Sequence, residues 1–226
     1  MFERLLQLPL FQGLTVQDIS EVMSHVRLNF ANYQAGDELV MQGETCRQLI
    51  YIINGSMMAE YRDPNGRFTL RENLPDMKVL EPYNMFGMQQ KFSRSYQFVT
   101  DGITLAIDKN VMLKQLLTNN IIKLNLLNIS CNKYQQTLNI LRKMPENTVK
   151  EKIVKFILSY SITTRGEKTL QIKMQELADI IHETRLNVSK TLNTLHKEGL
   201  MSLPRGGFTV KEIEDLYRQP QQNPHR

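Results

Sequence analysis

Residues 183–201, ETRLNVSKTLNTLHKEGLM, gather hydroxyl, amide and cationic side chains into one stretch with helical spacing. With residues placed at about 100° intervals, Val188, Leu192 and Leu195 share one narrow face, and the polar and cationic side chains lie opposite. Groups of this kind can donate hydrogen bonds to phosphate oxygens and to the edges of bases. The stretch therefore predicts a helix that packs by one face and presents a nucleic-acid-binding surface on the other.

The polar face and its flanks supply the candidate DNA contacts. Arg185 is suited to guanine O6 and N7 or to phosphate, and Lys190 to a base edge or phosphate. The hydroxyls of Thr184, the predicted N-cap, and Ser189 suit phosphate oxygens beside the positive end of the helix dipole. The full candidate set is Lys173, Thr184, Arg185, Leu186, Asn187, Ser189, Lys190 and Arg205. Each charge taken alone is better explained as solvated surface, but together at this spacing the set favours DNA binding.

Leu186 is the unusual member, because it is a lone leucine within a polar, cationic surface. Its methyl groups can contact the C5-methyl of thymine or exclude water above an A·T step. A permissive solvent position is the alternative.

The elements around this helix predict a winged helix-turn-helix. A helix begins at Asn147 or Thr148 and runs to about Ser161, and a short strand TLQI follows. MQELADII forms the next helix, with Ala178 as the small residue where two helices cross. LMSLPRGGFTV then reads as a β-hairpin wing, and a last helix spans Lys211–Tyr217.

Upstream, residues 108–144 contain no proline or glycine and predict a long helix. Six of its residues recur at alternating intervals of three and four and form a candidate contact seam: Leu124, Leu127, Cys131, Tyr134, Leu138 and Leu141. This narrow repeat predicts a parallel contact between two helices, and an amphipathic helix lying on its own domain is the alternative. Asn125, Asn128 and Asn132 beside the seam can fix its register or reach into a pocket.

Residues from about 25 to 107 read as short strands separated by glycines and turns, including the hairpin turn Asp63-Pro64-Asn65-Gly66. This pattern predicts a sandwich or barrel, preceded by a helix at about Thr15–His25. Its methionines predict an apolar interior, explained by plain packing or by a ligand: Met41, Met57, Met58, Met77, Met85 and Met88.

Composition excludes several classes of protein. The net charge of +5 and pI near 9.1 are modest, and no run of about 18 apolar residues or secretory leader is present, so we predict a cytoplasmic location without membrane partners. Cys46 and Cys131 stand alone and predict reduced thiols instead of a disulfide, zinc or iron–sulfur site. No GxSxG, HExxH or phosphate-loop motif occurs, so we assign no catalytic or metal-binding residues and predict a non-enzyme.

The whole chain resembles the CRP/FNR family of bacterial transcription regulators. The segments that carry the resemblance are AGDELVMQGE, YIINGSM, DPNGR, LEPYNMFGM and, most specifically, MQELADIIHETRLNVSKTLNTLHKEGLM. The resemblance implies an α+β fold with three parts. They are an N-terminal β-roll at 1–107 (cyclic-nucleotide-binding-like, a double-stranded jelly roll), a dimerisation helix at 108–144 and a winged helix-turn-helix domain at 145–226. It further implies a homodimer, a roughly palindromic operator in double-stranded DNA, and RNA polymerase as a partner.

The resemblance also directs attention to an effector pocket, where this chain departs from the cyclic-AMP-binding members. Those members have Gly-Glu-Leu before an Arg-Ser pair, whereas Met88 follows Gly87 here and the segment before Arg94 is shortened. We therefore expect no cyclic AMP binding and leave the effector unknown. The candidate pocket residues are Gly87, Met88, Arg94, Ser95, Asn128 and Cys131. Haem is an alternative ligand, with His25, Met88, Met144 or Cys131 as axial candidates.

These observations predict a dimeric transcription regulator controlled by an effector bound at the β-roll and central helix. A signal-binding module without DNA binding and a haem-based gas or redox sensor are the alternatives.

Overall fold

The computed structural model describes residues 5–24, 26, 28–75, 78–143 and 147–217. The chain forms two compact units. Unit 1 contains the residues up to Ala59 together with Leu74–Asn139, and unit 2 contains Glu60–Asn73 together with the chain from Ile140 onward. Antiparallel sheets and helices in both units confirm the predicted α+β class.

Unit 1 holds two small antiparallel sheets. Its strands are β1 (Asn29–Tyr33), β2 (Glu38–Val40), β3 (Gln48–Asn54), the first half of β4 (Met57–Arg62), β6 (Ser95–Phe98) and β7 (Gly102–Asp108). One sheet has the order β1-β7-β3, and within this unit the strands of the other follow one another in the order β2-β6-β4. Side chains alternate along β7, so Leu105 and Ile107 are fully buried on one face, and Ala106 lies on the other.

The helix of unit 1 that precedes the strands is α1 (Val16–Ser24). Its start is fixed by a reciprocal cap, because the Thr15 hydroxyl accepts from the Asp18 N–H at 3.1 Å and Asp18 accepts from the Thr15 N–H at 2.8 Å. The predicted helix at Thr15 is confirmed. His25, its predicted last residue, lies outside the described residues.

The segment 108–144, predicted as one helix, instead contains α2 (Lys109–Lys114), a 3-10 turn (Leu116–Thr118) and α3 (Asn120–Lys143). The break needs no proline or glycine because Asn119 caps a new start. Its Oδ1 accepts from the N–H groups of Ile121 at 2.9 Å and Ile122 at 3.2 Å. The long helix therefore begins about one third of the way along the predicted segment.

Helix α3 uses one face within its own unit and exposes another. Ile122 and Leu126 are buried, and the Asn125 amide donates to the carbonyls of Leu10 at 2.9 Å and Gln12 at 2.8 Å. The seam residues Leu124, Leu127, Cys131 and Tyr134 are exposed, and Leu138 is half-buried. The side chain of Leu141 lies outside the described residues.

The prediction of a methionine-lined interior is partly wrong. Met57 and Met85 are fully buried and Met58 is half-buried, but Met41 and Met88 are exposed. Met41 follows the buried Val40 at the end of β2, so alternation turns it to the opposite side. Met77 lies outside the described residues.

The described residues of unit 2 contain neighbouring strands in the order β5-β8-β10-β9 together with helices. The strands are β5 (Phe68–Leu74), β8 (Lys168–Ile172), β9 (Met201–Ser202) and β10 (Gly207–Val210), and the helices are α4 (Val149–Ser159), α5 (Met174–Ile180), α6 (Arg185–Lys197) and α7 (Ile213–Tyr217). Thr148 and Glu151 form a complete capping box at the start of α4. The predicted helices, wing strands and strand TLQI are thus confirmed. The last helix begins two residues later than predicted, at Ile213, and β8 begins one residue earlier, at Lys168.

The hairpin strand β5 was not predicted to belong to this sheet. It pairs antiparallel with β8 over five residue pairs, from Phe68 opposite Ile172 to Glu72 opposite Lys168. Phe68 and Leu70 are buried in the core of unit 2, and the Phe68 ring centroid lies 5.1 Å from that of Phe156. A segment early in the chain therefore completes the C-terminal unit.

A buried ion pair lies at the end of this pairing. The Lys168 Nζ donates to the carbonyls of Arg165 at 2.5 Å and Gly166 at 2.9 Å and lies 3.6 Å from Glu72 Oε2. The Glu72 carboxylate accepts from the Ile162 N–H at 2.8 Å. Both charged side chains are essentially inaccessible, at 1% and 0% exposure, so each depends on the other for compensation.

Candidate nucleic-acid interface

The two helices α5 and α6 of unit 2 form the predicted helix-turn-helix. Leu177 and Ala178 of α5 are fully buried in one core with Val188, Leu192 and Leu195 of α6. The small Ala178 side chain suits a close crossing between helices. The apolar face predicted from the sequence therefore holds α6 in unit 2.

The turn between the helices uses a left-handed residue. His182 has φ +54°, a conformation that histidine adopts more readily than branched residues do. The Glu183 N–H donates to the Ala178 carbonyl at 2.9 Å and closes the turn. Thr184 then begins α6 as its N-cap, with its hydroxyl accepting from the Asn187 N–H at 3.2 Å.

The capped start of α6 has the chemistry of an anion site. The Thr184 hydroxyl accepts from the third helical N–H, and helix geometry leaves the N–H groups of Arg185 and Leu186 without intrahelical acceptors. These groups and the helix dipole can receive a phosphate oxygen.

The predicted DNA contacts lie on the surface of unit 2. Leu186 is 63% exposed, and Ser189 is half-buried with its carbonyl accepting from the Asn193 amide at 2.9 Å. The remaining candidates are all exposed: Lys173, Thr184, Arg185, Asn187, Lys190 and Arg205. Lys173 precedes α5, and Arg205 lies in the loop between β9 and β10.

The wing is held close to its neighbouring strand. A Cβ on Gly207 would lie 1.9 Å from the Leu170 carbonyl oxygen, so β10 can approach β8 here only with glycine. This close approach holds the start of β10 against β8, directly after the wing loop that carries the exposed Arg205.

Sequence reasoning missed a polar cluster at the entry to α6. Lys152 Nζ of α4 donates to Glu183 Oε1 at 2.6 Å, and the Asn187 amide donates to Glu183 Oε2 at 3.4 Å. The hydrogen bonds from Lys152 and then Asn187 lower the pKa of Glu183 below its ordinary value. Only the packing of α4 against α6 brings Lys152 to this position, so no local pattern signals it.

With the helix-turn-helix in place, residues 151–219 match the family model of the Crp-like helix-turn-helix domain. The fold of the whole chain is similar to that of the catabolite activator protein of Thermus thermophilus. The two share 21% identity over 92% of this chain and 96% of that chain, with a TM-score of 0.51. The chain therefore contains a Crp-like helix-turn-helix domain.

Two further solved structures are similar with TM-scores of 0.44. They are DNR from Pseudomonas aeruginosa, with 17% identity covering 95% of both chains, and FixK2 from Bradyrhizobium japonicum, with 14% identity covering 84% of this chain and 96% of that chain. Among curated protein sequences none matches the chain.

The residues that the resemblance suggests for an effector pocket lie at exposed and buried positions of unit 1. Met88, which follows Gly87 (φ +89°), is fully exposed, whereas Arg94 is buried. The Ser95 hydroxyl accepts from the Gln42 N–H at 3.0 Å. Asn128 and Cys131 are exposed on α3. The pocket itself stays a prediction.

A buried carboxylate organises the loop before β6 and was missed by sequence reasoning. Glu81 accepts from the Ser93 N–H at 2.7 Å, the Ser93 hydroxyl at 2.8 Å and the Tyr96 hydroxyl at 2.9 Å. Burial, followed by the nearby Glu81 charge, raises the pKa of Tyr96 well above its ordinary value. Tyr96 therefore donates to Glu81 as a neutral phenol.

An open cleft of about 460 Å³ lies elsewhere in unit 1, and none of the six predicted pocket residues lines it. Apolar side chains including Ile50, Val40 and Phe92 line it together with Thr104 and Arg47. Across the described ranges, no cluster of three or more His, Cys, Asp or Glu residues is placed to hold a metal ion. In the same part of the chain, no helix is long and apolar enough to cross a membrane.

Among the described residues, the candidate haem ligands suggested by the sequence do not lie together in one pocket. His25 and Met144 lie outside the described residues, and Met88 and Cys131 are exposed.

Proposed function

We propose that this chain is a homodimeric transcription regulator of the CRP/FNR type that reads a roughly palindromic DNA operator with α6. The observation that carries the proposal is the division of α6 into a fully buried apolar face and an exposed polar and cationic face that begins at a capped N-terminus. RNA polymerase is its proposed partner on DNA, and an effector bound by the roll of unit 1 and α3 controls binding.

Direct readout is the proposed role of the first two turns of α6. Arg185 projects from the first turn, where its planar guanidinium can meet guanine O6 and N7 or a phosphate. Lys190 lies one turn further along and supplies a base or phosphate contact. Lys173 and Arg205 flank the helix and suit the phosphate backbone on either side.

Leu186 supports an A·T preference at the base pair that faces it. Its side chain is 63% exposed, so its methyl groups are free to meet the thymine methyl in the major groove. Many relatives have a glutamate that accepts from cytosine N4 at this position, and a leucine cannot accept that hydrogen bond.

Replacing Arg185 by alanine is expected to cost about 1–3 kcal/mol on the best operator and to relax preference at one base pair per half-site. Arg205→Ala is expected to weaken all sequences alike and to reduce the salt slope by about one unit, as loss of a phosphate contact does. Selection from a random DNA pool, followed by titrations at several salt concentrations, measures both effects. A wild-type protein that shows no salt-dependent DNA binding would refute the proposed function.

Dimerisation through α3 is supported by its exposed apolar seam. Leu124 and Leu127 are each 58% exposed and Tyr134 is 65% exposed, although the same helix buries Ile122 and Leu126 within unit 1. A second copy of α3 would bury this seam and bring two recognition helices to successive major grooves of one DNA face.

Cyclic AMP is not the proposed effector. The exposed Met88 offers no carboxylate for a ribose hydroxyl, and the Ser95 hydroxyl already accepts a backbone hydrogen bond from Gln42. We expect titration calorimetry with cyclic AMP to show no binding at micromolar concentrations. A micromolar or tighter dissociation constant would contradict this expectation.

A further inference from the structure

The Glu183 carboxylate, at the entry to α6, collects donors from two helices. Lys152 approaches one oxygen at 2.6 Å and the Asn187 amide approaches the other at 3.4 Å. The Lys152 and Glu183 side chains are only 25% and 18% exposed, so this pair is more shielded than an ordinary surface pair. Asn187 itself is exposed on the proposed DNA face.

An ionised carboxylate only accepts hydrogen bonds, so it fixes which end of the Asn187 amide faces it. The amide nitrogen must point to Glu183, because the amide oxygen would be repelled by the carboxylate. One N–H of Asn187 is thereby engaged, and its second N–H and Oδ1 remain available. These two groups are the pair that an asparagine uses to donate to adenine N7 and accept from adenine N6.

We propose that Asn187 reads an adenine in each half-site and that Glu183 is the positioning residue that sets its amide for this reading. The inference rests on the proposed function, since it names one specificity contact of that DNA site. Glu183 acts through Asn187 and makes no base contact of its own.

Lys152 has a separate role in this arrangement. A carboxylate beside the start of α6 would repel the phosphate that the helix N-terminus attracts. The Lys152 ammonium offsets that charge from α4. Loss of Lys152 therefore weakens binding to every sequence, whereas loss of Glu183 changes preference at one base pair.

The test is operator selection from a random pool, followed by competition between the best operator and its variants at each base pair. Wild-type protein is expected to prefer adenine at one pair of each half-site by about 5- to 150-fold. Asn187→Ala and Glu183→Ala should both reduce preference at that same pair, and the double variant should resemble Asn187→Ala alone. Glu183→Gln should retain most of the preference, because its amide oxygen can still accept from Asn187.

Glu198→Ala is the matched control. It removes the same charge from the other end of α6, where Glu198 is exposed, and is expected to leave base preference unchanged. Lys152→Gln should lower affinity for all sequences by a similar factor and keep the adenine preference. Circular dichroism confirms that each variant remains folded.

The inference is overturned if Glu183→Ala weakens all sites equally or relaxes a different pair from Asn187→Ala. In both outcomes the wild-type protein still selects an operator, so the proposed function stands. A wild-type protein that selects no operator overturns the function and the inference together.

Discussion

Replacing Lys168 by methionine is expected to lower the free energy of unfolding of unit 2 by about 3–5 kcal/mol. The substitution leaves the Glu72 carboxylate at 0% exposure, with the Ile162 N–H donating to it but without the ammonium 3.6 Å away. The loss should appear in denaturant unfolding followed by circular dichroism. Hydrogen exchange should quicken at the amides of β8 and β10.

Arg71→Met is the matched control, because it breaks an ion pair in the same hairpin. Arg71 bonds Glu60 at 2.5 Å, but its side chain is 44% exposed, so the expected loss is below about 1 kcal/mol. Equal losses of unfolding free energy in the two variants would show that the buried pair does not stabilise the pairing of β5 with β8.

The same pair predicts an alkaline pH dependence of unfolding. Burial, opposed by the charge of Glu72, lowers the pKa of Lys168 below its ordinary 10.5. The unfolded chain then binds this proton more tightly than the folded chain does, so stability rises with pH in the window below 10.5. Glu72→Gln removes the opposing charge and should widen that window, which unfolding measurements between neutral and alkaline pH will show.

The hairpin that contains β5 was predictable from the sequence only in part. The turn Asp63–Gly66 and the alternation of β5 were predictable from local chemistry, and both are present. The pairing of β5 with β8 was not predictable, because pairing between strands that are distant in sequence leaves no local periodicity. A signal was nevertheless present, since Glu72 falls on the buried phase of β5 between Leu70 and Leu74. A carboxylate in that phase requires a buried partner.

The recognition helix was predictable for the opposite reason, because every signal that defines it is local. Thr184 caps it, Val188 and Leu192 supply its apolar spacing, and Gly199 follows its end with φ +75°. The Lys152–Glu183 pair joins two helices and depends on tertiary packing. The break before α3 was missed because asparagines also lie inside α3, so the asparagine at position 119 does not by itself mark a cap.

Introducing glutamate at both Leu124 and Leu127 is expected to give a monomer and to weaken operator binding by about 10²- to 10⁴-fold. The two charges would face their counterparts across the proposed seam, and the loss of affinity follows because a monomer brings one recognition helix where a dimer brings two. Both side chains are 58% exposed, so unit 1 should remain folded. Sedimentation measures the mass, and operator titration measures the affinity.

Gln136→Glu combined with Asn139→Glu is the control, since it adds the same charge at exposed positions of α3 outside the seam residues. This variant should remain dimeric and bind the operator nearly as wild type does. A Leu124→Glu, Leu127→Glu variant that stays dimeric would reject α3 as the interface.

Cys131 gives an independent measure of the register of that seam. In a parallel in-register dimer the two copies of an exposed seam residue meet across the axis, and Cys131 is exposed whereas Cys46 is buried. Burial further raises the pKa of the Cys46 thiol to about 11, so Cys46 is the less reactive of the two. Mild oxidation should therefore link wild-type chains into covalent dimers, and Cys131→Ser should abolish the link. Efficient cross-linking with loss of operator binding would mean that the seam pairs in solution but that the two recognition helices do not act together on one operator.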